Sequence, residues 1–156
     1  MVTKRKSLSF ILVGLLCASD LFSQSIQTVT TRYQVANDFK TISSYFTDGD
    51  NTGPRIINRT QEDDWDGLYF IIEFTDRPET FEKKISVVID VLTAFSPKPR
   101  QYAFTLSEPD TFTWEGYFGI TGTDWTDQET RPLAWKISIK DFEGNLITEK
   151  QSFLWK

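Results

Sequence analysis

The side chains that most often carry out catalysis are nearly absent from this sequence. It contains no histidine, and Cys17 is its one cysteine. Nucleophilic catalysis with a serine or cysteine needs an imidazole that exchanges a proton near neutral pH. Zinc sites use histidine or cysteine in almost every case. The sequence therefore argues against both kinds of site.

Two acidic stretches hold the remaining groups that could exchange protons. The first spans residues 62–66, with the sequence EDDWD, and the second contains Asp124, Asp127 and Glu129. A facing pair of carboxylates acts as acid and base in glycosidases, but the spacing here specifies no such pair. We interpret both stretches as solvated loops, and we expect a protein that is not an enzyme.

Acidic loops also supply the oxygen ligands that Ca²⁺ prefers. The stretch that begins at Asp48 and Asp50 resembles the start of an EF-hand loop, but Arg59 stands where that loop needs a bidentate glutamate. Ordinary turn structure is the main interpretation, and a bound Ca²⁺ is the alternative. Two ligand sets are open for it, namely Asp48 with Asp50, or Asp63 with Asp64 and Asp66. No other cofactor is expected.

Aromatic residues form the other candidate site. Trp65 and Trp125 lie in polar, loop-like stretches, and with Tyr117 they could stack a sugar ring or anchor a protein interface. The main interpretation, however, is that these loops fold back and cap the ends of the sandwich, and the binding role is the alternative. Three further tryptophans lie in strand patterns and are expected in the core: Trp114, Trp135 and Trp155.

The elements that would position these residues are β-strands. Apolar and polar residues alternate with period two along much of the chain. The clearest example starts at Leu133, which is predicted to point inward together with Ile137 and Ile139. Residues 68–74 have the apolar run of a central strand covered on both faces. The predicted strands lie within residues 26–35, 55–60, 68–74, 85–94, 102–106, 112–120, 133–140 and 146–155.

Seven or eight short strands separated by turn signals predict an all-β protein. The favoured architecture is an antiparallel β-sandwich of the immunoglobulin or fibronectin kind, and a small β-barrel is the alternative. We expect one domain, in which residues 24–66 supply N-terminal strands and long acidic loops and residues 67–156 supply the core of the sandwich. The Cys…Trp…Cys signature of antibody domains is absent.

Residues 1–23 have the pattern of a signal peptide. Residues 4–6 are basic, residues 8–16 are apolar, and small residues follow. We expect cleavage between residues 19 and 25 and export to a periplasm or to the cell exterior. The apolar run is too short for a membrane span, which needs about 20 residues. A lipoprotein anchored at Cys17 is disfavoured, because Leu16 stands where the processing enzyme wants a small residue.

The charge of the remaining chain limits its partners. Without residues 1–23 it has 14 Lys and Arg against 21 Asp and Glu, a net charge of −7. An acidic surface repels nucleic acid and anionic membranes. We therefore expect an exported, non-catalytic module that binds a protein partner or serves a structural or assembly role. A carbohydrate-binding module is the alternative, with no nucleic acid as partner and no membrane span after signal cleavage.

Overall fold

A computed structural model describes residues 26–41, 55–75, 84–106 and 114–156. These ranges contain eight strands and two short 3₁₀ segments, Ala36–Phe39 and Gly122–Asp124. The strands are β1 (Ile26–Gln34), β2 (Ile56–Arg59), β3 (Gly67–Phe74), β4 (Ile85–Thr93), β5 (Ser96–Leu106), β6 (Glu115–Thr121), β7 (Ala134–Lys140) and β8 (Leu146–Gln151).

The strands form two four-stranded sheets. The first has the order β1-β3-β6-β2, and the second has the order β5-β4-β7-β8. The predicted all-β fold is thereby confirmed. One pairing departs from the antiparallel prediction, because β2 runs parallel to β6 while the other neighbours are antiparallel. Parallel pairing needs a long connection, and strands β3, β4 and β5 lie between β2 and β6 along the chain.

The strand order matches that of immunoglobulin-like sandwiches. If β1, β3 and β6 are taken as strands A, B and E, these three strands lie together in the first sheet. If β4, β7 and β8 are taken as strands C, F and G, they lie together in the second sheet. Strand β5 extends the second sheet beyond C, and β2 takes the edge beside E. The barrel alternative is wrong, because the described strands form two separate sheets.

Both sheets contribute alternate side chains to one core. Phe70 and Phe118 of the first sheet are fully buried. The ring of Phe118 meets Phe104 of the second sheet at 5.5 Å, and Phe70 meets Trp135 at 6.2 Å, both edge to face. Such pairs stabilise the core beyond the area they bury. Trp135 is therefore packed against the core as predicted.

Three apolar side chains predicted to point inward do not reach the core. Trp114 and Leu133 are 48% and 50% exposed. Each precedes its strand, so the alternation of β6 or β7 does not fix its direction. Trp155 follows the end of β8, and its ring lies 5.9 Å from the Lys136 ammonium. Lys136 pairs with Asp90 across the outer face of the second sheet, which places Trp155 on that face.

The apolar residues of the C-terminal strand do not all fall at alternate positions, and the cause is local. The pairing of β7 with β8 shifts between Ile139, opposite Thr148, and Lys140, opposite Leu146. The extra residue of this bulge is Ile147, which packs against the core. Bulges of this kind change which face the following residues occupy, so simple parity fails along β8.

Several predictions concern residues outside the described ranges. They are the signal peptide of residues 1–23, the disfavoured acylation of Cys17, and the alternative calcium ligands Asp48 and Asp50. Within the described ranges, no helix is long and apolar enough to cross a membrane.

Candidate functional site

Trp65 and Tyr117 come together on the outer face of the first sheet, around Phe39. The Phe39 ring centroid lies 5.3 Å from that of Trp65, 4.8 Å from that of Tyr69 and 5.9 Å from that of Tyr117. Phe39 and Tyr69 are 1% and 0% exposed. These four residues, which we call the outer-face cluster, therefore form a second, smaller packed layer outside the main core.

The outer-face cluster depends on the absence of a side chain at Gly119. The ring of Tyr69 lies so close to β6 that a Cβ atom at Gly119 would be 2.5 Å from Tyr69 Cε1. The Tyr69 hydroxyl donates a hydrogen bond of 2.8 Å to the Trp65 carbonyl. Burial raises the pKa of Tyr69, so this hydroxyl stays protonated and keeps donating.

The Trp65 ring is occupied rather than open for stacking. The Arg59 guanidinium carbon lies 3.7 Å from its centroid, a cation–π geometry, and Phe39 packs against the ring as well. Tyr117 is also engaged, since its hydroxyl donates to a Glu115 carboxylate oxygen at 2.8 Å. Burial and this hydrogen bond raise the pKa of Tyr117. In this structure, the side chains of Trp65 and Tyr117 therefore take part in packing.

Trp125 lies away from the other two aromatic residues and inside the core. It is 7% exposed and packs among residues of both sheets. The chain turns at Gly122, which has a φ of +58°, and the Gly122 carbonyl accepts the Trp125 amide at 3.2 Å. This turn carries Trp125 into one end of the sandwich. Trp65, Trp125 and Tyr117 therefore do not share one exposed face in this structure.

The acidic residues near the outer-face cluster organise loops. Asp66 Oδ1 accepts the amide of Ala36 at 3.0 Å, and the Asp66 carbonyl accepts the Gly122 amide at 3.1 Å. The Asp64 carbonyl accepts a hydrogen bond from Arg59. Within the described ranges, no group of three acidic side chains could hold a metal ion. Asp63, Asp64 and Asp66 are therefore not brought together as a group in this structure, and calcium binding stays the alternative interpretation.

The second acidic stretch is also bound into local structure. Asp124 Oδ2 accepts from the Gln61 amide group at 3.3 Å. Asp127 accepts from the Thr130 hydroxyl and from the Glu129 amide, and these hydrogen bonds lower the pKa of Asp127. Its carboxylate therefore remains charged near neutral pH. The bond between Gln61 and Asp124 holds the loop that follows β6 against the loop that precedes β3, whereas the Asp127 bonds are internal to the former loop.

The feature that the sequence did not predict is a group of exposed apolar side chains. Phe95 is 82% exposed, Leu133 50%, Phe153 88% and Leu154 64%. We call these four residues the apolar end. Phe95 lies in the β4–β5 turn, Leu133 directly precedes β7, and the other two follow β8. Large apolar side chains exposed in one region mark contact surfaces more often than scattered ones do.

Strand pairing shows that the apolar end is one region of the second sheet. Thr93 pairs with Ser96 across the turn that holds Phe95. The Leu133 amide donates to a β4 carbonyl at 2.8 Å, and Ser152 donates to a β7 carbonyl at 2.9 Å. Neighbouring strands are about 4.8 Å apart, so the four side chains start within roughly 15 Å of one another.

A cleft of about 300 Å³ adjoins the apolar end at Phe95. Arg100 lines the cleft together with Asp124 and Asp127, which carry the opposite charge. Trp125 contributes to the wall of the cleft. Hydroxyl side chains complete the lining: Thr93, Ser96, Thr126 and Thr130. An apolar surface bordered by polar and charged groups has the layout of a protein interface, with an apolar centre and a polar rim.

Comparison with protein-family models, with curated proteins and with solved structures found no match to this chain. The sandwich architecture does not choose among functions either, because it hosts many unrelated ones. The geometry of the surface is therefore the basis for a functional proposal.

Proposed function

We propose that this protein is an exported, non-catalytic β-sandwich module that binds a protein partner through the apolar end. The observation that carries the proposal is the exposure of Phe95, Leu133, Phe153 and Leu154 on neighbouring strand ends. Covering them removes apolar surface from water, at about 25 cal/mol per Å² before the cost of association. A partner with a matching apolar surface supplies that cover.

The composition of the surface supports a protein as the partner. Aromatic residues are enriched in the buried centre of interfaces, and charged residues gather at the rim. Phe95 and Phe153 supply two aromatic rings, and Arg100 and Asp127 lie in the adjoining cleft. The glycan alternative has less support, because Trp125 is buried and the Trp65 ring is covered by Arg59.

Export is supported by the order of residues at the start of the chain. Residues 4–6 are basic and residues 8–16 are apolar, which is the order that a signal peptide has. In an oxidising compartment, a chain whose one cysteine lies in that segment would carry no disulfide. Its stability then comes from the shared core of the two sheets.

A retention experiment tests the proposal. The wild-type protein, purified from the exported fraction and immobilised, is incubated with the remaining exported proteins of its native host. Retained proteins are quantified by mass spectrometry. We expect one partner to be retained by the wild type and at least about tenfold less by the Phe95→Ser/Phe153→Ser variant, because removing two interface aromatics costs more than about 1.4 kcal/mol.

The matched control changes apolar residues at the opposite end of the second sheet. Phe142 and Leu146 are each 55% exposed and lie in or beside the β7–β8 turn. The Phe142→Ser/Leu146→Ser variant is expected to retain the partner as the wild type does. Equal retention of the partner by the wild type and both variants would contradict binding through the apolar end. Loss of the partner only in the control variant would show that the binding surface is at the opposite end of the second sheet.

A further inference from the structure

The four sheet edges of the described strands differ in how they are protected against strand addition. Natural edges are blunted by proline, by charged residues or by short length. Strand β5 begins with Pro97 and Pro99 beside basic residues, β2 has four residues, and β8 has six, with Glu149 and Lys150. Strand β1 has none of these three protections: it is nine residues long, lacks proline, and has Arg32 as its single charge. A bulge also protects an edge, but the register shift of β1 is confined to its start, between Ile26 and Thr28.

Part of β1 is nevertheless occupied. The Lys150 ammonium of the neighbouring edge β8 donates hydrogen bonds to the carbonyls of Ile26 and Gln27. The stretch from Thr28 to Gln34 is paired with β3 on one side. In the described ranges no strand pairs with its other side, where alternate backbone groups of an edge strand point outward.

The side chains of this stretch suit pairing with a copy of itself. In an antiparallel pair with a two-fold axis through Thr30, Thr30 of one copy lies opposite Thr30 of the other. Arg32 of each copy then lies opposite Thr28 of the other copy. Threonine pairs across strands are favourable, whereas like charges directly opposite are destabilising. Val29 faces Thr31 in the same register, so β-branched residues, which pack well between strands, also meet.

We propose that two copies of this chain associate through antiparallel pairing of their β1 strands, which joins their first sheets into one eight-stranded sheet. The interface is isologous and closes as a dimer. The neighbouring edge β8 contacts β1, but its Lys150 bonds only the carbonyls of Ile26 and Gln27, which lie outside the proposed stretch from Thr28 to Gln34.

Sedimentation equilibrium of the full exported protein tests the dimer, over about 1 to 200 µM. We expect wild-type protein to shift from monomer to dimer within this range. The Thr30→Lys variant is expected to weaken association at least about tenfold, because two ammonium groups then face each other. Thr30 is exposed, so the variant should fold. An equal mixture of Thr30→Lys and Thr30→Glu variants is expected to dimerise again.

Thr105→Lys is the matched control, since Thr105 is equally exposed on the proline-bearing edge β5. It should associate as the wild type does. Monomeric wild-type protein across the whole range would overturn the dimer, and so would a Thr30→Lys variant that still dimerises fully. Loss of dimer in Thr105→Lys alone would show that the contact is at β5. A monomer found with a peptide of another protein bound to it would also contradict the proposed dimer.

Discussion

Replacing Phe70 with alanine is expected to lower the free energy of unfolding by about 3–5 kcal/mol. Phe70 is fully buried on β3, between β1 and β6, and its ring packs edge to face with Trp135 of the second sheet. Truncation removes this contact between sheets and leaves a cavity in the middle of the core. Because a domain of this size has about 5–15 kcal/mol in total, most of the stability could be lost.

Urea denaturation followed by circular dichroism measures this loss. The control is Phe95→Ala, the same change at a position that is 82% exposed. It is expected to alter stability by less than about 0.5 kcal/mol. Equal stability of the two variants would show that the inner face of β3 has been assigned wrongly.

Replacing Phe39 with alanine is expected to cost about 3 kcal/mol, although Phe39 lies outside the main core. Its ring is 1% exposed and contacts Trp65, Tyr69 and Tyr117 on the outer face of the first sheet. Its removal should also free the Ala36–Phe39 segment. We expect faster amide hydrogen exchange at Ala36, whose amide is bonded to Asp66.

The control for Phe39 is Phe153→Ala, since Phe153 is 88% exposed. That variant should leave both the stability and the exchange rate at Ala36 unchanged. If Phe39→Ala were as stable as Phe153→Ala, the outer face of the first sheet would have to be open, and Trp65 would again be a candidate for stacking.

The sequence predicted the fold well because strand periodicity reports burial directly. Phe70, Ile72 and Phe74 share one side of β3, and all three are buried in the core. Gly144 and Asn145, between the predicted strands 133–140 and 146–155, are residues that favour a turn, and Gly144 has a φ of +87°. Local patterns of this kind need no knowledge of which strands become neighbours.

The remaining features depend on contacts between distant parts of the chain. The parallel pairing of β2 with β6 and the burial of Phe39 by β3 and β6 have no periodic signal. Trp125 stands in a polar stretch, and its burial depends on the turn at Gly122. Local polarity therefore predicts exposure poorly for a large side chain near the end of a sandwich.

The apolar end was missed because strand patterns were extended too far. Leu133 continues the alternation of β7, and Phe153 falls within the predicted strand 146–155, yet both lie outside the observed strands and are exposed. Where a strand ends is set by its neighbours as much as by its own sequence. An apolar residue just beyond a strand is therefore a candidate for a contact surface as well as for the core.

The most direct test of the proposed function is a photo-crosslink formed in the native host. A photoreactive amino acid replaces Phe153 in one strain and Phe142, at the opposite end of the sheet, in another. The proposal predicts a crosslinked product with a second, different protein from position 153 and none from position 142. A product from position 142 alone, or none from either position, would contradict binding through the apolar end.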